Sequence, residues 1–170
     1  ITASYVNISG FTIRNSGSTH AGIRCHISSG NHIQDNRIIN NGNGLCLHRS
    51  HANTIENNMI GNSNGNGIIM NFSSMGNTIT NNEISNNGIC GIFINETSRG
   101  NIIAGNDIKK NEFGAKCIGS SDGNLFHHNN FVNNNQNAWD ECNNQWDNGS
   151  EGNYWDDYNG TDANGDGIGD

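Results

Sequence analysis

Asn77-Thr78-Ile79-Thr80-Asn81-Asn82-Glu83-Ile84, followed by Gly91-Ile92-Phe93-Ile94, is the stretch that decides the fold. Its first part reads N-x-I-x-x-N-x-I, and that octet recurs along the chain. The leading Asn falls at Asn31, Asn53, Asn77, Asn101 and Asn124. An apolar residue follows two positions later at Ile33, Ile55, Ile79, Ile103 and Phe126. A second Asn stands at Asn36, Asn58, Asn82, Asn106 and Asn129, and a second apolar residue at Ile38, Ile60, Ile84, Ile108 and Phe131. A Gly then opens an alternating segment at Gly44, Gly67, Gly91 and Gly114. Residues 6–27 are an imperfect earlier copy, with Ile8 and Ile13 in the apolar columns and Val6 and Phe11 replacing the Asn pair.

Short period-two segments between Asn/Gly turns are strand chemistry, because a helix needs a 3.6 period and tolerates Asn and Gly poorly. The sequence therefore predicts an all-β, right-handed parallel β-helix with coils of about 22–25 residues. Stacked coils place equivalent residues roughly 4.8 Å apart. The Ile columns then form one dry core. The Asn columns become ladders bonded from coil to coil, since a buried amide without a partner costs about 1–3 kcal/mol. Residues 1–138 form the coils, 139–160 an aromatic C-terminal cap, and 161–170 an acidic Gly-rich loop.

Composition agrees with a repeat. Of 170 residues, 36 are Asn and only 33 are Ile, Leu, Val or Phe. That is too little apolar volume for a compact globule, yet enough for coils that each need about four inward side chains. The net charge is −8. Residues 117–170 carry 10 acidic side chains and no basic one. No basic patch suits phosphate neutralisation, which argues against a nucleic-acid partner. No apolar run reaches the ~18 residues of a membrane span. No leader is visible, and a start at Ile1 points to a chain processed or excised from a longer one.

The extended pattern N-x-I-x-x-N-x-I-x-N-N-x-x-G-I resembles the repeats of the NosD-like group, also described as domains of carbohydrate-binding proteins and sugar hydrolases. The run Gly152-Asn153-Tyr154-Trp155-Asp156-Asp157-Tyr158 and the Asp/Gly tail after it resemble endings in that group and in archaeal cell-surface proteins. The resemblance implies the solenoid fold, a polysaccharide-directed role, or a copper-related periplasmic role.

Glycan hydrolysis needs paired carboxylates. The outward column two residues after each Gly reads Arg24, Cys46, Ile69, Phe93 and Lys116, and the next reads His26, His48, Asn71, Asn95 and Ile118. Neither holds an acid. Glu83 and Asp107 share one register at turn positions, where solvated acids are a simpler reading than a catalytic dyad. His26 and His48 stack on neighbouring coils, too few for a strong metal site. The clearest metal pattern is Asp162-x-Asn164-x-Asp166-Gly167-Ile168-Gly169-Asp170. It matches the start of a Ca²⁺ loop, with Asp162, Asn164, Asp166, the Ile168 carbonyl and Asp170 as ligands.

Five cysteines are an odd number. Cys117 and Cys142 fall on adjacent coils and are the candidate disulfide. Asn-x-Ser/Thr sequons mark Asn7, Asn71, Asn95, Asn148 and Asn159 as candidate glycosylation sites. Trp139, Trp146, Tyr154 and Trp155 cluster late. They read as a cap over the last coil or as a platform on which sugars stack.

Solenoids expose strand edges at both ends, and no charged cap precedes the first coil. The leading expectation is an extracellular or cell-surface scaffold, self-associating through its ends into a filament or sheath. A carbohydrate-binding or polysaccharide-active β-helix is the second expectation. A NosD-like periplasmic protein is the third.

Overall fold

The structure, a computed structural model, describes residues 1–161. The first coil holds β1 (Asn7–Ser9), β2 (Thr12–Arg14) and β3 (Ala21–His26). The second holds β4 (His32–Gln34), β5 (Arg37–Ile39) and β6 (Asn43–His48), and the third β7 (Thr54–Glu56), β8 (Met59–Gly61) and β9 (Ile68–Asn71). The fourth holds β10 (Thr78–Thr80), β11 (Glu83–Ser85) and β12 (Cys90–Ile94), and the fifth β13 (Ile102–Ala104), β14 (Asp107–Lys109) and β15 (Phe113–Cys117). The sixth holds β16 (Leu125–His127), β17 (Asn130–Val132) and β18 (Gln136–Asp140), and β19 (Tyr154–Trp155) follows. Every third strand stacks in parallel, giving a first sheet β1-β4-β7-β10-β13-β16 and a third sheet β3-β6-β9-β12-β15-β18. The second sheet runs β2-β5-β8-β11-β14-β17-β19. The chain is thus an all-β solenoid of about six turns with three faces, and no described helix is long and apolar enough to cross a membrane.

Register follows the repeat. Ile33, Ile55, Ile79, Ile103 and Phe126 pair in sequence on the first sheet, as do Ile38, Ile60, Ile84, Ile108 and Phe131 on the second. All are fully buried. Burying each such side chain stabilises by about 1.5–3 kcal/mol, so two columns and the third-sheet interior supply the core.

The Asn ladders form. In Asn31-Asn53-Asn77-Asn101-Asn124-Asn144 each amide Nδ2 donates to the Oδ1 of the next, at 2.8–3.0 Å. Asn36-Asn58-Asn82-Asn106-Asn129-Asn153 does the same at 2.9–3.1 Å. Each ladder backbone N–H donates to the same Oδ1, as at Asn82 N to Asn106 Oδ1, 3.0 Å. One oxygen thereby satisfies two donors. The left-handed corner residue is the one before each second-ladder Asn: Asp35, Asn57, Asn81, Gly105 and His128 all have positive φ. The Asn that holds the ladder is therefore not the one that bends the chain, and the bending position accepts several residue types.

The repeat Gly has a packing reason. A Cβ on Gly67 would sit 2.7 Å from the Gly91 carbonyl oxygen, and one on Gly91 would sit 2.7 Å from that of Gly114. Coils approach at this column so closely that only hydrogen fits.

Two further ladders were not anticipated from the sequence. Ser28, Ser50, Ser74, Ser98 and Ser121 form a column in which each N–H donates to the hydroxyl of the next, at 3.1–3.3 Å. Cys142 takes the sixth place, its Sγ accepting from Ser121 N at 3.3 Å. The second extra ladder, Asn87-Asn111-Asn134, bonds amide to amide at 3.0 Å. Ser63 stands where that ladder would continue, and its buried hydroxyl lacks a partner.

Candidate functional site: the outer face of the third sheet

Alternation along the third-sheet strands sends one set of side chains in and the other out. Ile23, Cys25, Leu45, Leu47, Ile68, Met70, Ile92, Ile94, Ala115 and Cys117 are buried. Arg24, Cys46, Ile69, Phe93, Lys116 and Trp139 pair in register as one outward column. His26, His48 and Asn71 pair as a second. The column expected from sequence is therefore real, and β18 extends it by Trp139. Neither column contains a carboxylate through the fifth coil; in the sixth, Glu141 takes the place that Ile118 holds in the fifth.

The face is aromatic and cationic. Lys116 Nζ lies 4.6 Å from the Phe113 ring centroid and 5.6 Å from that of Trp139, and those rings meet edge to face at 6.5 Å. The Arg49 guanidinium lies 5.7 Å over Phe72. His26 and His48 stack at 4.8 Å, and His48 packs on Phe72 at 4.5 Å. Among the described residues, no carboxylate lies within 4.0 Å of Arg24, Arg49 or Lys116. Burial, then the nearby Arg24 and His26, push the His48 imidazole below its ordinary range, against the raising effect of its 3.2 Å bond to Asn71 Oδ1. Asn95 carries an Oδ1, and His26 an Nδ1, that are buried without a partner.

The late aromatics divide. Trp146 stacks on Phe126 at 4.2 Å and Trp155 on Phe131 at 4.5 Å, so these two close the end of the core. Trp139 and Tyr154 remain exposed. Trp139 Nε1 donates to Glu141 at 3.0 Å, which fixes the indole at the edge of the third sheet.

Other sequence candidates scatter. Asn71 and Asn95 lie half-buried on the third-sheet side, whereas Asn7, Asn148 and Asn159 are exposed elsewhere. Asp162, Asn164, Asp166, Ile168 and Asp170 lie outside the described residues. All five cysteines are free. Cys117 is a core residue whose thiol burial pushes well above its usual range, while Cys142 sits in the serine column, and no bridge joins them. Glu83 and Asp107 open strands rather than occupying turns, and they pair across the second sheet. Lys109 Nζ contacts both, at 3.2 and 2.7 Å, and these contacts raise the Lys109 ammonium above its usual range. The two acids belong to a surface ion triad.

A family described as "Periplasmic copper-binding protein (NosD)" matches residues 1–160. The chain belongs to the NosD family. Among curated protein sequences, none matches. Similar solved structures include a double mutant of the periplasmic alginate epimerase AlgG, with 27% identity and TM-score 0.64 over 67% of this chain and 28% of that one. A single mutant of AlgG matches with 24% identity and TM-score 0.67 over 87% of this chain and 39% of that one. The chain thus spans well under half the length of those structures.

Copper is the ion in the family's description. A copper site needs several converging nitrogen or sulfur donors. Among the described residues no three His, Cys, Asp or Glu side chains gather in that way. His26 and His48 stack face to face, and His48 Nδ1 is engaged with Asn71.

Proposed function

We propose that this chain binds an extended acidic polysaccharide along the outer face of its third sheet, in the periplasm. The observation that carries the proposal is Lys116 packed against the edge-to-face pair of Phe113 and Trp139, on a face that also presents Arg24 and Arg49 without carboxylate partners. Rigid aromatic faces stack on sugar rings, and unpaired cations attract uronate carboxylates. Six strands spaced about 4.8 Å apart offer a track of roughly 24 Å. The net charge of −8 does not oppose this along most of the track, because the acids gather after residue 117 and a Debye length of about 8 Å screens the distant ones. The fold shared with AlgG, a periplasmic epimerase named for alginate, supports both the ligand class and the compartment. Affinity measurements with oligouronates and matched neutral oligosaccharides test the proposal. Tighter binding of the oligouronates, weakened by salt, is expected. Equal affinity for both, or no affinity, overturns it.

Self-association through the solenoid ends is a second proposal, supported by the first coil. Tyr5 and Phe11 stand exposed there, and Val6 and Phe11 replace the ladder Asn. Sedimentation at increasing concentration tests it, and a monomer throughout would overturn it.

A further inference from the structure

We infer that the loop 147–151 is a built site for intramolecular deamidation of Asn148. Asn-Gly pairs are chemically labile, because the Gly amide nitrogen can attack the Asn side-chain carbonyl carbon unhindered by a Cβ. The chain contains several, and the solenoid restrains most of them. The amides of Gly44, Gly65, Gly67 and Gly88 donate to backbone carbonyls of neighbouring coils at 2.7–2.9 Å, and that of Gly42 donates to the Ser16 hydroxyl at 3.3 Å. None of these acceptors is a base.

Asn148-Gly149 is arranged differently. The Gly149 N–H donates to Asp147 Oδ1 at 2.8 Å, so a carboxylate sits on the proton that the nucleophile must lose. Asn148 Oδ1 accepts from Ser150 N at 3.0 Å, Ser150 Oγ at 2.8 Å and Glu151 N at 2.8 Å. Three donors on one carbonyl oxygen polarise Cγ and stabilise the negative charge that develops there on attack. Gly149 has φ +88°, a conformation that a side chain would oppose. Glu151 in turn contacts His128 Nε2, which ties the loop to the sixth coil. Base, nucleophile, electrophile and oxyanion donors therefore lie within five consecutive residues.

In the reaction, Asp147 takes the Gly149 amide proton as the nitrogen bonds to Asn148 Cγ. The Cγ–Nδ2 bond then breaks, and ammonia leaves with that proton. A succinimide results. Water opens it, at one carbonyl to Asp and at the other to an isoaspartyl linkage. No oxidant or reductant is needed. The product carboxylate also removes the amide that the Asn148-Gly149-Ser150 sequon would present, so deamidation and glycosylation of this residue exclude each other.

The test is peptide mapping by mass spectrometry of the whole chain during incubation at neutral pH, with isoaspartyl linkages assigned. Asn148 is expected to convert before the five Asn-Gly pairs held in the coils, and faster in the folded chain than in the same chain held in urea. Asp147→Asn, which keeps the shape and removes the base, is expected to slow conversion on the order of 10²-fold. Ser150→Ala removes one of three donors and is expected to slow it on the order of tenfold. A folded-state rate at or below that in urea overturns the inference, and so does an unchanged rate in Asp147→Asn.

Discussion

The inward and outward columns of the third sheet share strands, register and spacing, yet they obey different rules. Inward, the first five coils present apolar side chains, from Ile23 to Cys117, and all are buried. Outward, the same strands present Arg24, Cys46, Ile69, Phe93, Lys116 and Trp139, six different residues on six coils. Stacking at a fixed repeat demands the first kind of uniformity and places no demand on the second. What repeats in this chain is therefore explained by the fold. What fails to repeat on an otherwise regular face is where a ligand can be read.

The comparison breaks most severely if a ladder residue proves dispensable. Asn106 Nδ2 donates to Asn129 Oδ1, Ile79 O and Ala104 O, and its Oδ1 accepts from the backbone and side chain of Asn82. Asn106→Ala strands those groups in the interior, and a loss of about 4 kcal/mol is expected in urea unfolding. Gly91→Ala forces a Cβ against the Gly114 carbonyl oxygen at 2.7 Å and is expected to cost about 2–3 kcal/mol by the same measurement. Outward changes should do the reverse. Trp139→Ala and Lys116→Ala are expected to leave the melting temperature within a degree or two. Each should weaken oligouronate binding at least about tenfold, or about 1.4 kcal/mol, by calorimetry.

Two smaller effects sharpen the contrast. Ser63→Asn supplies the missing rung between Asn41 and Asn87, gives the orphaned position a partner, and is expected to stabilise by about 1 kcal/mol. His48 carries the smallest effect. Its imidazole is held below its unfolded value, so the unfolded chain binds the proton more readily. That residue's contribution is present above the unfolded value of about 6.5 and is lost as pH falls from there through the lower folded value. His48→Asn, which continues the Asn71 column, is expected to flatten the decline in thermal stability between neutral and mildly acid pH.

The fold was legible because its physics is periodic. Ile33, Ile55 and Ile79 recur at the interval of one coil, and the two main Asn columns recur with them. The serine column recurs as regularly, three residues before each leading Asn. A single hydroxyl carries less sequence signal than an N-x-I-x-x-N-x-I octet, so the serine column does not stand out in the sequence. The third Asn ladder was hidden because Ser63 interrupts it. The outward column was legible by alternation alone. Its character was not, because the Phe113 and Trp139 rings that pack with Lys116 come from different coils and require strand register to meet. Glu83 and Asp107 are legible as neighbours, while the Lys109 that contacts both is not. The division of the tryptophans, two as a plug and one on the third-sheet face, likewise needed the stacking on Phe126 and Phe131.

The central claim is that one face of the solenoid binds and the other two support it. Backbone amide chemical-shift mapping during titration with an oligouronate tests this most directly. The expected result is a set of perturbations running along Arg24, Cys46, Ile69, Phe93, Lys116 and Trp139, with the outward residues of the first and second sheets unchanged. Perturbations centred on the Glu83-Asp107-Lys109 triad, or spread evenly over all three faces, would contradict it.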